Sequence, residues 1–488
     1  MATYQHAARP LIVCLATVLL LTGCAAITPR TGSSSHRQDA SSQSVATPVP
    51  SPEPSVASTV WESEVDVVGD PVVLDDVIVA YLKTAGGVIL TGIDPLTGDQ
   101  LWRRAVSPAG DSWFALDKPA MLVRDGRIWV AAASATGAGR HRVVLMDAMT
   151  GKEQDIGSAS LWVRRLPHPC PSDEDVFCLQ AYLPDADEAT AFVLDPGVPA
   201  LTALPETDRT FQGRHVFTRD GEDSDSVGYL DGTGVVWEQA YTALFGPDAE
   251  VDPNNAAWHD SGSSPIIVGE GGLAMPDDPA VGDRSTLAMT STVGLDRATG
   301  KLLWSVPGAE RCFEEPEPEP TPDIFIACQV TAGELVITES SETGFSYKVE
   351  GREEQLVGID RATGRILWTQ PFVPADEEAP RQFLPNGTRA VIPVEGLGVQ
   401  VVDLTTGEAT PVPPGAELAC RTWRDNVTLT RSNGDSFQYV AGHGVNPCDA
   451  AGEALTAWSP ESLAWGGQRA GELYIVAGED SLAAYRVS

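Results

Sequence analysis

The stretch Gly-Leu-Asp-Arg-Ala-Thr-Gly-Lys-Leu-Leu-Trp at residues 294–304 decides the fold, because the chain repeats it. It returns as Gly-Ile-Asp-Arg-Ala-Thr-Gly-Arg-Ile-Leu-Trp at residues 358–368. A looser copy, Gly-Ile-Asp-Pro-Leu-Thr-Gly-Asp-Gln-Leu-Trp, occupies residues 92–102. A short unit that recurs along a chain cannot bury its apolar face alone and must stack on its neighbours. The repeat therefore predicts an architecture of stacked units.

Each copy predicts the end of one strand, a tight turn and the start of the next strand. The Asp side chain accepts a hydrogen bond from the backbone two residues on, and the Gly adopts the positive φ that ends such a turn. The Trp gives the following strand a large apolar anchor. We therefore assign a structural role to Asp94, Gly98, Trp102, Asp296, Gly300, Trp304, Asp360, Gly364 and Trp368.

Four weaker copies extend the series. Two keep the turn but lose the Trp, one keeps Asp, Gly and Trp with one residue deleted, and one is more eroded. They begin at Asp147 (with Gly151), Asp403 (with Gly407), Asp231 and Asp195. The seven Asp positions are separated by 36 to 65 residues, whereas four-stranded propeller blades recur about every 40 to 50 residues, with longer intervals where loops are inserted.

Apolar and β-branched runs precede most of these turns, for example at residues 76–82 and 142–146. Such runs predict strands, while no long window has helical periodicity. The order of strand, Asp-x-x-Thr-Gly-x-x-x-Trp and strand resembles pyrroloquinoline-quinone-like β-propeller repeats across residues 60–488. The resemblance implies an all-β fold of four-stranded antiparallel blades.

We expect eight blades, with seven as the alternative. Residues 471–485 have the pattern of inner strands in a blade that stops before its outer strand, and residues 60–63 supply an outer strand. Pairing of the two ends closes the ring and removes two free sheet edges.

The N-terminus has the features of an export signal. Arg9 is followed by an apolar run that is too short to span a bilayer. Residues 21–24, Leu-Thr-Gly-Cys, resemble the lipobox of bacterial lipoproteins, which implies a signal peptide at residues 1–23 and lipidation of Cys24, with palmitate expected there. An ordinary secretory signal is the alternative. The resemblance places the protein at the cell membrane, lipid-anchored and facing the extracytoplasmic side.

Residues 24–59 are rich in Ser, Thr and Pro and contain almost nothing to bury. This composition predicts a disordered tether, so residues 60–488 form the propeller domain.

The formal net charge is −36. It argues against a nucleic acid partner and against binding of anionic lipid head groups through a basic face. The charge suits solubility outside the cell, or a basic partner. The resemblance to exported lipoproteins implies envelope or secreted proteins as partners, with membrane contact only through the lipid anchor.

Six cysteines remain when Cys14 and Cys24 are set aside, and they fall into local pairs. In an exported chain they are predicted to form disulfides that pin inserted loops. The pairs are Cys170 with Cys178, Cys312 with Cys328, and Cys420 with Cys448. A zinc site is disfavoured because no Cys-x-x-Cys occurs.

No catalytic residue is assigned. The sequence has no Gly-x-Ser-x-Gly, no His-Glu-x-x-His and no phosphate-binding loop. It also lacks the adjacent cysteines that characterise many enzymes of the resembled family. We expect no metal and no cofactor, and pyrroloquinoline quinone (PQQ) with calcium is the alternative.

The longest interval between repeats, 231 to 296, mixes aromatic and polar residues in a predicted loop. Loop insertions on propellers make binding surfaces. We propose Phe245 and Trp258 as candidate binding residues, on one face with an acidic Glu-Pro arch at residues 314–320. An ordered connection without a binding role is the alternative.

The sequence favours a protein-binding scaffold in the cell envelope. The resemblance extends to propeller lipoproteins that help to assemble outer-membrane proteins, although fold does not fix function. The alternatives are a PQQ-dependent dehydrogenase and a sensor or ligand-binding module for cell-wall sugars or peptides.

Overall fold

The computed structural model describes most of the chain from Val56 to Ser488. The residues left out are 1–55, 86, 108–117, 138–139, 157–159, 171–172, 185–188, 204–209, 212–215, 220–224, 232–233, 248, 250–257, 260–263, 273–279, 313–322, 342–343, 373–382, 395, 425–426, 431–435 and 440–442. Cys24 and the acidic arch at residues 314–320 thus lie outside the described residues.

Antiparallel sheets follow one another along the chain and form an eight-bladed β-propeller, which confirms the predicted fold and blade count. The first strand, β1 (Ala57–Glu64), belongs to the last blade. Blade 1 contains β2 (Val67–Val73), β3 (Ile78–Thr84), β4 (Gly87–Ile93) and β5 (Gln100–Val106), and blade 2 contains β6 (Ala120–Arg124), β7 (Arg127–Gly137), β8 (Arg140–Asp147) and β9 (Glu153–Gln154). Blade 3 contains β10 (Trp162–Cys170), β11 (Asp173–Tyr182), β12 (Ala189–Asp195) and β13 (Val198–Ala203). Blade 4 contains β14 (Thr210–Phe211), β15 (Val216–Arg219), β16 (Ser226–Asp231) and β17 (Gly234–Ala240).

A short helix, α1 (Tyr241–Phe245), separates blade 4 from the second half of the ring. The segment of blade 5 contains β18 (Trp258–His259), β19 (Ile266–Gly272), β20 (Arg284–Thr286), β21 (Thr290–Asp296) and β22 (Leu302–Pro307). Blade 6 contains β23 (Ala309–Glu310), β24 (Ile324–Ser341), β25 (Gly344–Asp360) and β26 (Ile366–Phe372). Blade 7 contains β27 (Arg389–Val394), β28 (Gly398–Asp403) and β29 (Ala409–Pro411). Although β20 lies within blade 5 in sequence, it pairs with β24 of blade 6.

An insertion and the last blade complete the chain. The insertion contains β30 (Leu418–Trp423), β31 (Val427–Thr430), β32 (Ser436–Tyr439), β33 (His443–Cys448) and helix α2 (Pro460–Gly466). Blade 8 contains β34 (Gln468–Ala470), β35 (Leu473–Ala477), β36 (Ser481–Val487) and β1. Among the described residues, neither helix is long enough to cross a membrane.

The two ends of the chain close the ring as predicted. Strand β1 pairs antiparallel with β36, from Ala57 opposite Val487 to Glu64 opposite Ser481. The pairing begins at Ala57, so the folded part of the chain starts three residues before the predicted boundary at residue 60. The N-terminal strand is therefore the fourth, outer strand of the last blade.

The hydrophobic core lies between neighbouring blades. Val68 and Leu90 of blade 1, for example, belong to one buried cluster with Val130 and Met146 of blade 2. Each sheet thus buries both of its faces, which explains why the third strands have nearly continuous apolar runs.

The repeated Asp lies at the end of the next-to-last strand in seven blades, which is the third strand except in blade 7, where three strands are described. In the copy at Asp296, the side-chain Oδ1 accepts hydrogen bonds from Thr299 N at 2.9 Å and Thr299 Oγ1 at 2.7 Å. The backbone donor here is three residues on, whereas at Asp94 it is the predicted donor two residues on, Leu96 N. Gly300 has a φ of 69°, which an L side chain rarely adopts, and therefore ends the turn.

The Trp of each strong copy docks one blade on the next. Trp304 of blade 5 donates its indole N–H to Arg361 O of blade 6 at 2.9 Å. Its ring occupies the space that a Cβ on Gly364, in the turn of blade 6, would need. The same arrangement joins Trp102 to Ala148 O and Gly151, and Trp61 to Pro95 O and Gly98.

The two edges of the ring differ. The turns that begin at the repeated Asp lie at one edge, which we call the turn face. The links between second and third strands, and between successive blades, leave from the opposite edge, which we call the insertion face. The longest additions begin and end at strand ends on the insertion face: between β17 and β18, between β19 and β21, at the hairpin of β24 and β25, and between β29 and β34.

We predict that Trp304→Ala lowers the free energy of unfolding by about 3–5 kcal/mol, because it empties a buried aromatic site between two blades. Urea unfolding followed by circular dichroism measures this loss. The adjacent Leu303 is 43% exposed on the same strand, so Leu303→Ala is the control and should change stability by about 0.5 kcal/mol or less. Equal effects of both substitutions would contradict the docking role.

Candidate functional site

The two aromatic residues proposed for binding pack against one cluster, in which Trp258 is buried and Phe245 is partly buried. Trp258 lies in β18 and is 5% exposed. The ring of Phe245 lies 6.2 Å from that of Trp258 and 4.5 Å from that of Tyr241, measured between centroids. Helix α1 folds these rings into the cluster between blades 4 and 5. Burial removes Trp258 from the surface, whereas the binding role of Phe245, which is partly buried, stays a prediction.

The acidic arch at residues 314–320, predicted to share a face with this segment, lies outside the described residues, but its flanking residues are described. Ala240, just before α1, pairs with Ser226 at the end of blade 4 remote from its third-to-fourth turn. The residues that flank the arch lie beside the turn of blade 6, where Arg361 N donates to Asp323 O at 2.9 Å. The first segment thus starts on the insertion face, and the second starts and ends on the turn face.

Three disulfides join the pairs that the sequence suggests. The Cα–Cα distances are 4.7 Å for Cys170–Cys178, 4.7 Å for Cys312–Cys328 and 5.8 Å for Cys420–Cys448. The third disulfide links β30 to β33 and so holds together one of the two two-stranded sheets of the insertion.

A buried arginine fastens the insertion to the ring. Arg424 is 5% exposed and donates to three backbone carbonyls: Gly478 O at 3.0 Å, Gly69 O at 2.7 Å and Ala477 O at 3.2 Å. Burial lowers the pKa of Arg424 to about 10, and the charge of Asp70 acts in the opposite direction. The guanidinium therefore stays charged at neutral pH and ties the insertion to blades 8 and 1.

Helix α2 supports the other side of the insertion. Its N-cap, Ser459, accepts from Ser462 N at 3.1 Å, and Ser462 Oγ accepts from Ser459 N at 2.9 Å. This capping box fixes the start of the helix. Leu463 and Trp465 are then buried, and the Arg389 guanidinium lies 5.1 Å from the centroid of Trp465.

A cleft of about 1000 Å³ lies on the insertion face between blade 8, blade 1 and the insertion. Four parts of the chain form it: residues 62–66 at and after the end of β1, residues 82–89 of blade 1, the insertion between residues 422 and 458, and β35 and β36 with the turn between them. The cleft exists because ring closure brings β1 beside β36 and because the insertion docks over both.

One part of the cleft lining is acidic. The exposed carboxylates of Glu62, Glu64, Asp66, Glu479 and Asp480 line it. The ammonium of Lys83 is the lining cation and lies 3.9 Å from the Asp66 carboxylate. Five carboxylates and one ammonium give this lining a formal charge of −4.

Other lining residues are aromatic and apolar. The rings of Trp458 and Tyr485 lie 6.1 Å apart between centroids. Burial raises the pKa of Tyr485, and the charge of Glu62 raises it further. The phenol is therefore neutral under ordinary conditions and remains a hydrogen-bond donor. Leu455, Val445 and Pro447 complete this side.

The side chains of the cleft are suited to binding. They offer carboxylate acceptors, a phenol donor and aromatic surface, and the named lining contains no histidine or cysteine. In the part of the chain that the structure describes, no three His, Cys, Asp or Glu side chains group as metal ligands.

Sequence reasoning missed this cleft. Its lining residues range from position 62 to position 485, so no local motif contains them. The sequence does contain one signal of this cleft: an acidic residue at every second position, Glu62, Glu64 and Asp66, at the end of the closing strand. In a strand, this alternation places side chains on one face.

Comparison with known proteins gives a family. A family model described as outer membrane protein assembly factor BamB matches residues 25–161 and 288–461, more than half of the chain. No curated protein matches the sequence.

Solved structures resemble the chain only distantly. BamB from Moraxella catarrhalis is 13% identical, with 88% of this chain and 100% of that chain covered and a TM-score of 0.35. A europium-containing methanol dehydrogenase is 11% identical, with 88% and 93% covered and a TM-score of 0.41. A quinohemoprotein alcohol dehydrogenase from Comamonas testosteroni is 12% identical, with 88% and 76% covered and a TM-score of 0.34. Similarity at this level carries no argument about activity.

Proposed function

Because the chain belongs to the family described as outer membrane protein assembly factor BamB, we propose that it is a protein-binding scaffold of the cell envelope. The observation that carries the proposal is the cleft on the insertion face, which blade 8, blade 1 and the docked insertion form together. Arg424 and the Cys420–Cys448 disulfide hold this face in one arrangement. A preformed surface of this kind loses little conformational freedom when a partner binds.

The proposal includes a lipid anchor on Cys24 and a tether formed by the Ser-, Thr- and Pro-rich residues after it. Support comes from the sequence Leu-Thr-Gly-Cys at residues 21–24, preceded by a short apolar run. A lipid at Cys24 would keep the propeller on the extracytoplasmic side of the membrane. The scaffold is proposed to act without a cofactor.

Site-specific photo-crosslinking in intact cells tests the scaffold. We expect a photoreactive phenylalanine at Thr456, an exposed residue of the cleft, to form a reproducible adduct with an envelope or secreted protein. The matched control places the same group at Leu96, which is 63% exposed on the turn face, and should give no such adduct. Mass spectrometry identifies the captured protein.

Two outcomes would contradict this function. Equal capture from both positions would mean that the insertion face is not selective. Tight binding of PQQ with calcium to the purified chain, measured by calorimetry, would support the dehydrogenase alternative instead.

Replacement of Cys24 tests the anchor. We predict that Cys24→Ala removes the incorporation of labelled palmitate and shifts the protein from the membrane fraction to the soluble fraction, because the modified thiol is lost. Cys14→Ala, a change within the same N-terminal segment, should leave both unchanged. Unaltered palmitate labelling of the Cys24→Ala protein would exclude lipidation at this position.

A further inference from the structure

We propose that the cleft on the insertion face binds an extended, cationic segment of the partner protein. This inference rests on the proposed scaffold function and names the chemistry that the scaffold would recognise. Three features of the cleft carry it: the sign of its charge, the spacing of its acids and its aromatic side.

The charge of the cleft selects a cation. Five exposed carboxylates face one ammonium group there, and that ammonium, on Lys83, already lies 3.9 Å from Asp66. The chain as a whole has a formal net charge of −36. Both charges raise the local concentration of cationic segments and repel nucleic acid and anionic lipid surfaces.

The spacing of the acids fits an extended chain. Glu62 and Glu64 are two residues apart in β1, so their side chains leave the same face of the strand about 7 Å apart. An extended peptide presents every second side chain at the same interval. Lysine or arginine at alternate positions would therefore meet both carboxylates together.

The aromatic side provides a second contact for the same ligand. Trp458 and Tyr485 present ring surface within the cleft. Ring faces attract ammonium and guanidinium groups, and arginine also stacks on them.

A peptide-binding measurement tests the inference. We expect a dye-labelled peptide of alternating lysine and serine to bind the purified full-length protein in fluorescence anisotropy, and to bind more weakly as salt increases. The matching glutamate–serine peptide should not bind. The variant Glu62→Gln/Glu64→Gln should weaken binding of the lysine peptide about tenfold, because two charged contacts are lost.

A control variant separates cleft binding from general attraction to an acidic protein. Asp99→Asn/Glu472→Gln removes the same charge from exposed positions on the turn face and should leave affinity unchanged. Equal weakening by both variants would overturn the inference, and so would absence of binding. Displacement of the peptide by calcium at one ion per protein would instead identify the acids as a metal site.

The photo-crosslinking result distinguishes failure of this inference from failure of the scaffold. An adduct at Thr456 whose crosslinked segment contains no lysine or arginine would refute the cationic ligand and leave the scaffold standing. If no adduct forms at that position, the scaffold function is refuted, even if the purified protein binds the lysine peptide.

Discussion

The structure depends on an indole ring held between two glycines and bonded to the neighbouring blade. Trp304 lies against Gly294 of its own blade and Gly364 of the next, where a Cβ on either glycine would overlap the ring. Burial of a large aromatic side chain removes about 150–250 Å² from water and contributes at most about 4–6 kcal/mol, whereas its hydrogen bond contributes about 1 kcal/mol. Ring burial therefore supplies most of the stabilisation, and the bond to Arg361 O sets the orientation of the ring.

The junction between blades 2 and 3 uses another device, because the fourth strand of blade 2 has no tryptophan. Trp129, Phe177 and Phe192 fill the space there. Arg124 of blade 2 makes an ion pair with Asp195, the repeated Asp of blade 3. At this junction an aromatic cluster and an ion pair thus take the place of the indole contact.

Ring closure connects the fold to the proposed site. Trp61 on β1 repeats the docking contact at the join between blade 8 and blade 1, where its indole N–H donates to Pro95 O at 2.9 Å. The same strand carries Glu62 and Glu64 into the cleft. Without β1, blade 8 would lose its fourth strand and the cleft would lose two of its acids. The contact that completes the fold therefore also positions the ligand-binding groups.

The sequence predicted the features that are local or repeated. The Asp turns at positions 94 to 403 mark the next-to-last strands of seven blades, and the pattern of the two ends indicates the eighth blade. It did not show that Trp258 is buried, because an aromatic segment has the same local composition whether it is exposed or packed against a helix. It also could not place Glu62 beside Asp480 and Trp458, since that proximity arises only when the ring closes and Arg424 docks the insertion.

Hydrogen exchange of β36 tests ring closure by the N-terminal strand most directly. The measurement compares the full-length chain with a variant that lacks residues 57–64. The account predicts faster exchange for the β36 amides that pair with β1, between Ser481 and Val487, and unchanged exchange in β19 of blade 5. Equal protection of β36 in both proteins would mean that β1 does not complete the last blade, and it would remove the structural basis of the cleft.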